Sequence, residues 1–546
     1  MRIVNGLCGS LMALTAMFSA GQMGSPAAAG AANIPCEKLA SLSLPNATVT
    51  LAEVVEAGAY PAPPDPFGGP SDAAFWKRLP AFCRVVVHSH PSADSDIPIE
   101  IWMPMQRWNG KLQSIGNGGF AGSIGYGELG AALASGYAAA GTDTGHSASL
   151  TDARWALGHP EKVADFGYRG IHEMTLAAKA VVQNFYAAGV KRAYFAGCSD
   201  GGREALMEAQ RFPEDYDGIL AGAPANNWTA LLTTGIADTL ALTAKPESFI
   251  PQAKIPAIAK AVLAKCDEMD GVKDGILNDP RQCHFDPATI ECKAGEDTDA
   301  CLTAAQVTAL KALYAGARDG DGRQIFPGYL PGAEEGGNGW GTWIFGSTPG
   351  RSLMALFGKS YFSDMVYDKA DWDQASFTVE NALSDAREKT AAALDAVNPD
   401  LSAFEERGGK LILYHGWDDP AIAALNTVNY YETVEAKLGR SATNSFVRLY
   451  MLPGVQHCGG GPGPDMFGQA LEWQAHDPEH NARVALEFWV EKGTAPGPLV
   501  ATKMGGQAQS VPVMTRPICP YPQSARYKGK RDTNKAKNFV CAAPGK

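Results

Sequence analysis

Beyond its N-terminal segment the chain has no apolar run long enough to cross a bilayer, which excludes a membrane anchor in the body of the protein. It has no basic block either. Lys and Arg total 46 against 58 Asp and Glu, a formal net charge of −12, so a nucleic-acid groove is excluded. No tight C-x-x-C pair or His/Cys cluster occurs, which argues against a zinc site. Histidine is scarce, at 10 residues, so few side chains can act as a general base near neutral pH. What is present is globular: 45% hydrophobic and 19% charged, with 60 Gly and 36 Pro implying many loops. At 546 residues the chain is long for one core, so two domains, or one core with a large insertion, are expected.

Met1-Arg2, an apolar stretch from Leu7 to Phe18 and small residues up to Ala32 read as a signal peptide over 1–32, cleaved after Ala20 or nearer Ala32. Eleven cysteines include Cys8 inside that leader. The remaining even number suits disulfides in a secreted or periplasmic protein. Cys266–Cys283, Cys292–Cys301 and Cys519–Cys541 are the simplest local pairs.

The chemistry centres on Gly197-Cys198-Ser199-Asp200-Gly201. A strand-like run, 190–196, precedes it and a helix start, 202–210, follows. Strand, sharp turn and helix are the context of a G-x-S-x-G nucleophile elbow. Further strands are expected at 85–88, 97–103, 111–115, 137–140, 216–224, 411–414 and 445–451, and helices at 71–79 and 168–185, the latter capped by Gly189. Strands alternating with helices point to a mostly parallel α/β sheet. The glycine loop 116–122 follows the 111–115 strand, where an oxyanion donor is expected, and Gly119 is the residue chosen. The amide of Asp200, just past the nucleophile, is the second donor.

A serine needs a base and an orienting carboxylate. His457 lies just past the strand ending at Met451, and Asp418 and Asp419 just past the 411–414 strand. His415, at the end of that strand, reads as structural. Cys198 precedes the serine and Cys458 follows the histidine, so a Cys198–Cys458 bond would clamp nucleophile to base. The core pattern breaks from 228 to about 400, where an insertion rich in Gly, Asp and aromatics holds Cys266-Asp267-Glu268-Met269-Asp270-Gly271-Val272-Lys273-Asp274-Gly275-Ile276. Such closely spaced acids suit a solvated turn or a hard cation such as Ca²⁺.

With Cys198-Ser199-Asp200-Gly201-Gly202, His415-Gly416-Trp417-Asp418-Asp419 and His457-Cys458 in view, the sequence resembles the tannase and feruloyl esterase family. The resemblance covers essentially the whole mature chain. It implies an α/β-hydrolase fold with a catalytic domain over 33–227 and 401–546 and a lid over 228–400. It implies a Ser199–His457–Asp419 triad, favouring Asp419 over Asp418, and a Cys36–Cys83 bond. It also implies a structural Ca²⁺ held by the side chains of Asp267, Asp270 and Asp274 and the carbonyls of Val272 and Ile276. The expected substrate is a small aromatic-acid ester, first a feruloyl ester, with galloyl esters and mono(2-hydroxyethyl) terephthalate as alternatives. Trp340, Trp343, Phe345, Phe357, Tyr361 and Phe362 are candidates to stack on the acyl ring or to form lid core, and Arg351 to anchor a free carboxylate. A non-catalytic polyphenol- or carbohydrate-binding protein would be expected to lack part of this triad.

Overall fold

Runs such as Val85-Val86-Val87 and Leu411-Ile412-Leu413 are too short and too continuously apolar for amphipathic helices, and they become strands of one large sheet. The computed structural model describes residues 32–61, 73–470, 475–506 and 511–543. Nine strands build the sheet: β1 (Ala47–Val55), β2 (Phe82–Ser89), β3 (Ile97–Pro104), β4 (Lys111–Ile115), β5 (Ala138–Thr142), β6 (Arg192–Cys198), β7 (Gly218–Gly222), β8 (Lys410–Gly416) and β9 (Val447–Leu452). Their order is β1-β2-β3-β5-β4-β6-β7-β8-β9. β1, β2, β3 and β5 pair antiparallel, and every pairing from β5 through β9 is parallel. The chain places β5 on one side of β4 and β6 on the other. Loops leaving the carboxyl ends of β4 and β6 therefore face each other at a topological switch point, where open α/β sheets hold their ligands.

Between β7 and β8 the chain leaves the sheet. Helices at Trp228–Thr243, Ile255–Cys266, Ala304–Ala315, Leu353–Ser360 and Val379–Leu394 pack around an apolar cluster that includes Trp340, Phe345, Tyr361 and Phe362. Phe120, Ala153 and Phe166 from before the elbow join that cluster, so the insertion is seated on the sheet's own loops. The C-terminal segment adds two small hairpins, β10 (Leu499–Met504) with β11 (Pro512–Ile518) and β12 (Ser524–Tyr527) with β13 (Phe539–Ala542). It packs on the body, where Cys519, Ala525 and Phe539 cluster with Val272.

All five expected disulfides are present: Cys36–Cys83, Cys198–Cys458, Cys266–Cys283, Cys292–Cys301 and Cys519–Cys541. Apart from Ala32, the leader read over 1–32 lies outside the described residues.

Three local expectations change. β1 was not foreseen; it is an edge strand of half-buried residues with an irregularity between Val49 and Leu51, so it carries no clean alternation. The helix expected over 71–79 is a single turn, Ala73–Trp76, that stops well before Pro80; Ser71 lies outside the described residues. The long helix Gly170–Tyr186 closes at Ala187, with φ 50°, rather than at Gly189. The left-handed cap that favours glycine is here taken by alanine.

Candidate active site

Ser199 sits between β6 and the helix Asp200–Arg211 with φ 66° and ψ −118°. A non-glycine residue in such a conformation costs about 1–3 kcal/mol, which the surrounding packing must overcome. The turn is tight enough that a Cβ at Gly197 would come within 2.6 Å of the Gly201 carbonyl oxygen. Backbone hydrogen bonds from Ser199 N to Gly222 O and from Ala225 N to Ser199 O fix the serine above β7.

The loop after β9 brings in His457. Its Nε2 lies 2.9 Å from Ser199 Oγ and its Nδ1 lies 2.8 Å from Asp419 Oδ2. Asp419 Oδ1 accepts the amides of Ala421 and Ile422, at 2.8 and 2.9 Å. Burial alone would disfavour ionised Asp419, but His457 and His415 outweigh it and hold the carboxyl well below the usual carboxylate range. With Asp419 ionised, Nδ1 of His457 carries the proton and Nε2 is left to accept from the serine hydroxyl.

His415 is fully buried, with Nδ1 2.7 Å from Thr427 Oγ1 and Nε2 3.0 Å from Ile422 O. It supports the acid loop and does not reach the serine. Asp418, one residue before Asp419, points elsewhere. Its Oδ2 accepts the Gly454 amide, while Oδ1 has no hydrogen-bond partner among the described residues. Burial, then the nearby Glu334, pushes its pKa well above the ordinary value.

The Cys198–Cys458 bond ties the residue before the serine to the residue after the histidine across a sequence separation of 260. Asn338, which no motif marked, adds a second tie. Its Nδ2 donates to the carbonyls of His457 and Gly459, and its Oδ1 accepts from Trp343 Nε1 at 2.9 Å. The Trp343 ring stands edge-on to the His457 ring with centroids 4.9 Å apart. An isolated asparagine in a long insertion carries no sequence signal of this role.

These groups open into a cavity of about 620 Å³, within the usual range for small-ligand sites. Ser199, His457, Gly119 and Asp200 all line it. Gly119 has φ 61°, and a Cβ there would lie 2.4 Å from the Leu150 side chain, so the loop needs glycine at this point. As first residue of its helix, Asp200 presents an amide with no intrahelical acceptor. The far walls are apolar and include Trp228, Leu231, Trp343, Leu353, Met354 and Phe357. Of the lid aromatics considered from sequence, Trp343 and Phe357 reach the cavity, while Trp340, Phe345, Tyr361 and Phe362 are buried core. Arg351 is exposed and does not line the cavity, and no Lys or Arg is among its lining residues.

The acidic loop lies apart from this cavity. Asp267 Oδ1 accepts the amides of Asp274 and Gly275, and Asp270 Oδ1 accepts that of Val272. Asp274 Oδ2 pairs with Arg516 of β11, a partner the sequence did not reveal. Asp270, Val272, Asp274 and Ile276 line a cavity of about 20 Å³, and Asp267 stands outside it. Burial, with Asp274 and Asp267 nearby, pushes Asp270 up to about 6. This is the behaviour of buried oxygen donors short of positive charge, and the donor chemistry fits a hard cation. Among the described residues, no three His, Cys, Asp or Glu side chains converge closely enough to hold an ion as they stand.

A doubly wound sheet with a serine elbow at its switch point, under a helical insertion, defines a carboxylic ester hydrolase of the α/β-hydrolase superfamily. Residues 83–542 match the family model described as tannase and feruloyl esterase, and the chain belongs to that family. It is 39% identical to an uncharacterised esterase of Xanthomonas campestris, covering 98% of this chain and 95% of that one. It is 35% identical to the mono(2-hydroxyethyl) terephthalate hydrolase of Piscinibacter sakaiensis, covering 70% and 69%. The solved structure of feruloyl esterase B from Aspergillus oryzae superimposes with a TM-score of 0.83 at 30% identity, covering 93% of this chain and 99% of that one.

Proposed function

We propose that the protein is a serine esterase that cleaves small aromatic-acid esters, feruloyl esters first, with Ser199 as nucleophile, His457 as base and Asp419 as orienting acid. The observation that carries this reading is the pair of contacts at His457, 2.9 Å to Ser199 Oγ and 2.8 Å to Asp419, at the wall of an apolar cavity. Ser199 attacks the ester carbonyl as His457 takes its proton. The amides of Gly119 and Asp200 stabilise the oxyanion, and His457 returns the proton to the leaving alcohol. Water activated by the same histidine then releases the acid. Asp419 stabilises the imidazolium and stays ionised.

The feruloyl assignment rests on the likeness to feruloyl esterase B and on the cavity. Its apolar and aromatic walls suit a planar ring, and the free carboxylate of a terephthalate monoester finds no cation among the lining residues. In this reading residues 228–400 form the lid that supplies Trp343 and Phe357. Asp267, Asp270 and Asp274, with the carbonyls of Val272 and Ile276, hold a structural Ca²⁺ after modest side-chain turning, and the ion stabilises the lid without entering the reaction.

The test is an initial-rate panel on methyl ferulate, methyl gallate, chlorogenate and mono(2-hydroxyethyl) terephthalate, with Ser199→Ala alongside. Dominant turnover of ferulate or chlorogenate, lost in the variant, is the expected result. Dominance of gallate or the terephthalate ester replaces the substrate class, and serine-independent turnover overturns the mechanism.

A further inference from the structure

The helix that begins at Asp200 does more than present one amide. Its Glu204 is 2% exposed, and its Oε2 accepts the backbone amide of Asn117 at 2.8 Å. Gly201, on the same face three residues earlier, donates its amide to Asn117 O at 2.7 Å. Both peptide groups flanking Asn117 are thus held by this one helix, two residues before Gly119.

We propose that Glu204 is a positioning residue for ester hydrolysis: its buried carboxyl group fixes the glycine loop after β4, so that the Gly119 and Asp200 amides converge on one oxyanion. The fit leaves little slack. A Cβ at Gly116 would lie 2.8 Å from Gly201 Cα and 3.0 Å from Glu204 Oε2. The Asn117 side chain is anchored separately, its Nδ2 donating to the carbonyls of Ser123 and Thr142.

Apart from the acceptor it gives the Asn117 amide, stability gives no reason for an acid here. Burying a carboxyl group beside the equally buried Asp200 is costly, and an apolar side chain of the same size would avoid it. The other oxygen, Oε1, has no hydrogen-bond partner among the described residues. Among the described residues the bond to Asn117 is the hydrogen bond this carboxyl makes, and it leads directly to the loop facing Ser199. Burial, reinforced by Asp200, pushes the pKa of the group well above the ordinary value, which disfavours a negative charge beneath the developing oxyanion.

The inference rests on Ser199 and the Gly119 amide acting as proposed above. Glu204→Met removes the acceptor, Glu204→Gln keeps it, and Glu204→Asp draws it back by one methylene. All three are assayed on methyl ferulate beside Ser199→Ala, with melting temperatures. The expected result is a kcat loss of about 10- to 100-fold for Met, the scale of an error near 1 Å in a reacting geometry. KM stays within about twofold, and a serine-directed phosphonate reacts more slowly in step with kcat. Gln retains kcat within about threefold. If the Met variant does not fold, the Asp variant gives the same kcat-only loss. Wild-type kcat in both the Met and Asp variants overturns the proposal, as does a Gln variant as slow as Met. Turnover surviving in Ser199→Ala instead overturns the functional reading on which it stands.

Discussion

Asp419 and the three aspartates of the 267–274 loop are carboxylates drawn wholly or partly out of water, yet their surroundings answer that cost differently. Asp419 meets two histidines and two backbone amides, enough to keep it ionised without help. The loop offers three aspartates a handful of amides and one arginine, already paired to Asp274, and burial pushes Asp270 up to about 6. The first region is electrostatically complete within the protein, whereas the second is short of positive charge, which is why a cation is proposed for it. Asp418 makes the same point at a distance of one residue. It shares Asp419's turn and burial but faces Glu334 instead of a histidine, and its pKa is pushed well above the ordinary value, not below it.

The sharpest way to break this comparison is to neutralise the two neighbours in turn. Asp419→Asn should lower kcat by about 10⁴-fold, because His457 loses the partner that sets its tautomer. Asp418→Asn should change kcat by less than about threefold, since Asp418 bonds neither Ser199 nor His457 and an Asn side-chain oxygen can still accept the Gly454 amide. Equal losses in steady-state assays would erase the distinction between the two environments.

Next in size is the covalent tie. Replacing Cys198 and Cys458 together by alanine should lower kcat by about 10- to 100-fold while Asn338 still holds the His457 loop, because geometry at the base is loosened and not abolished. Kinetics of the double variant under non-reducing conditions check this.

The acidic loop should respond in stability and not in chemistry. Removing Ca²⁺ with EGTA should lower the melting temperature by several degrees, and added Ca²⁺ should restore it, following the mass-action rule for a ligand that binds only the folded state. Asp270→Asn should abolish that response. A melting curve indifferent to both reagents would remove the ion from this account.

The smallest expected effect is a slope. Asp418 has a raised folded-state pKa, so above the ordinary aspartate value the unfolded chain releases a proton that the folded chain keeps. Its contribution is fully present below about pH 4 and is lost as pH rises toward its folded value. Asp419 runs the other way: its contribution is present above about pH 4 and is lost as pH falls toward its depressed folded value. Melting temperatures measured from pH 4.5 to 8 should therefore fall less steeply in Asp418→Asn than in the parent protein.

Only the family resemblance suggested Cys36–Cys83; the residues themselves marked the elbow at Ser199, the strand at Lys111–Ile115, the interruption between β7 and β8 and the other four cysteine pairs. Each of these is written in neighbours along the chain: a short apolar run, a glycine at a fixed offset, a cysteine beside a motif. Periodicity failed where a strand lies half-buried at an edge, as in β1, and where alanine instead of glycine closes a helix, as at Ala187.

Which side chains meet across the fold was decided by the tertiary structure. The sequence could set His415, His457, Asp418 and Asp419 near strand ends, but only packing turned Asp419 toward two imidazoles and Asp418 toward Glu334. Only packing brought Asn338 to the His457 carbonyl, Glu204 to the Asn117 amide and Arg516 to Asp274. The physical reason is that chain-local chemistry fixes what a residue is able to donate or accept. Its charge and its role then depend on burial and on partners separated from it by tens to hundreds of residues.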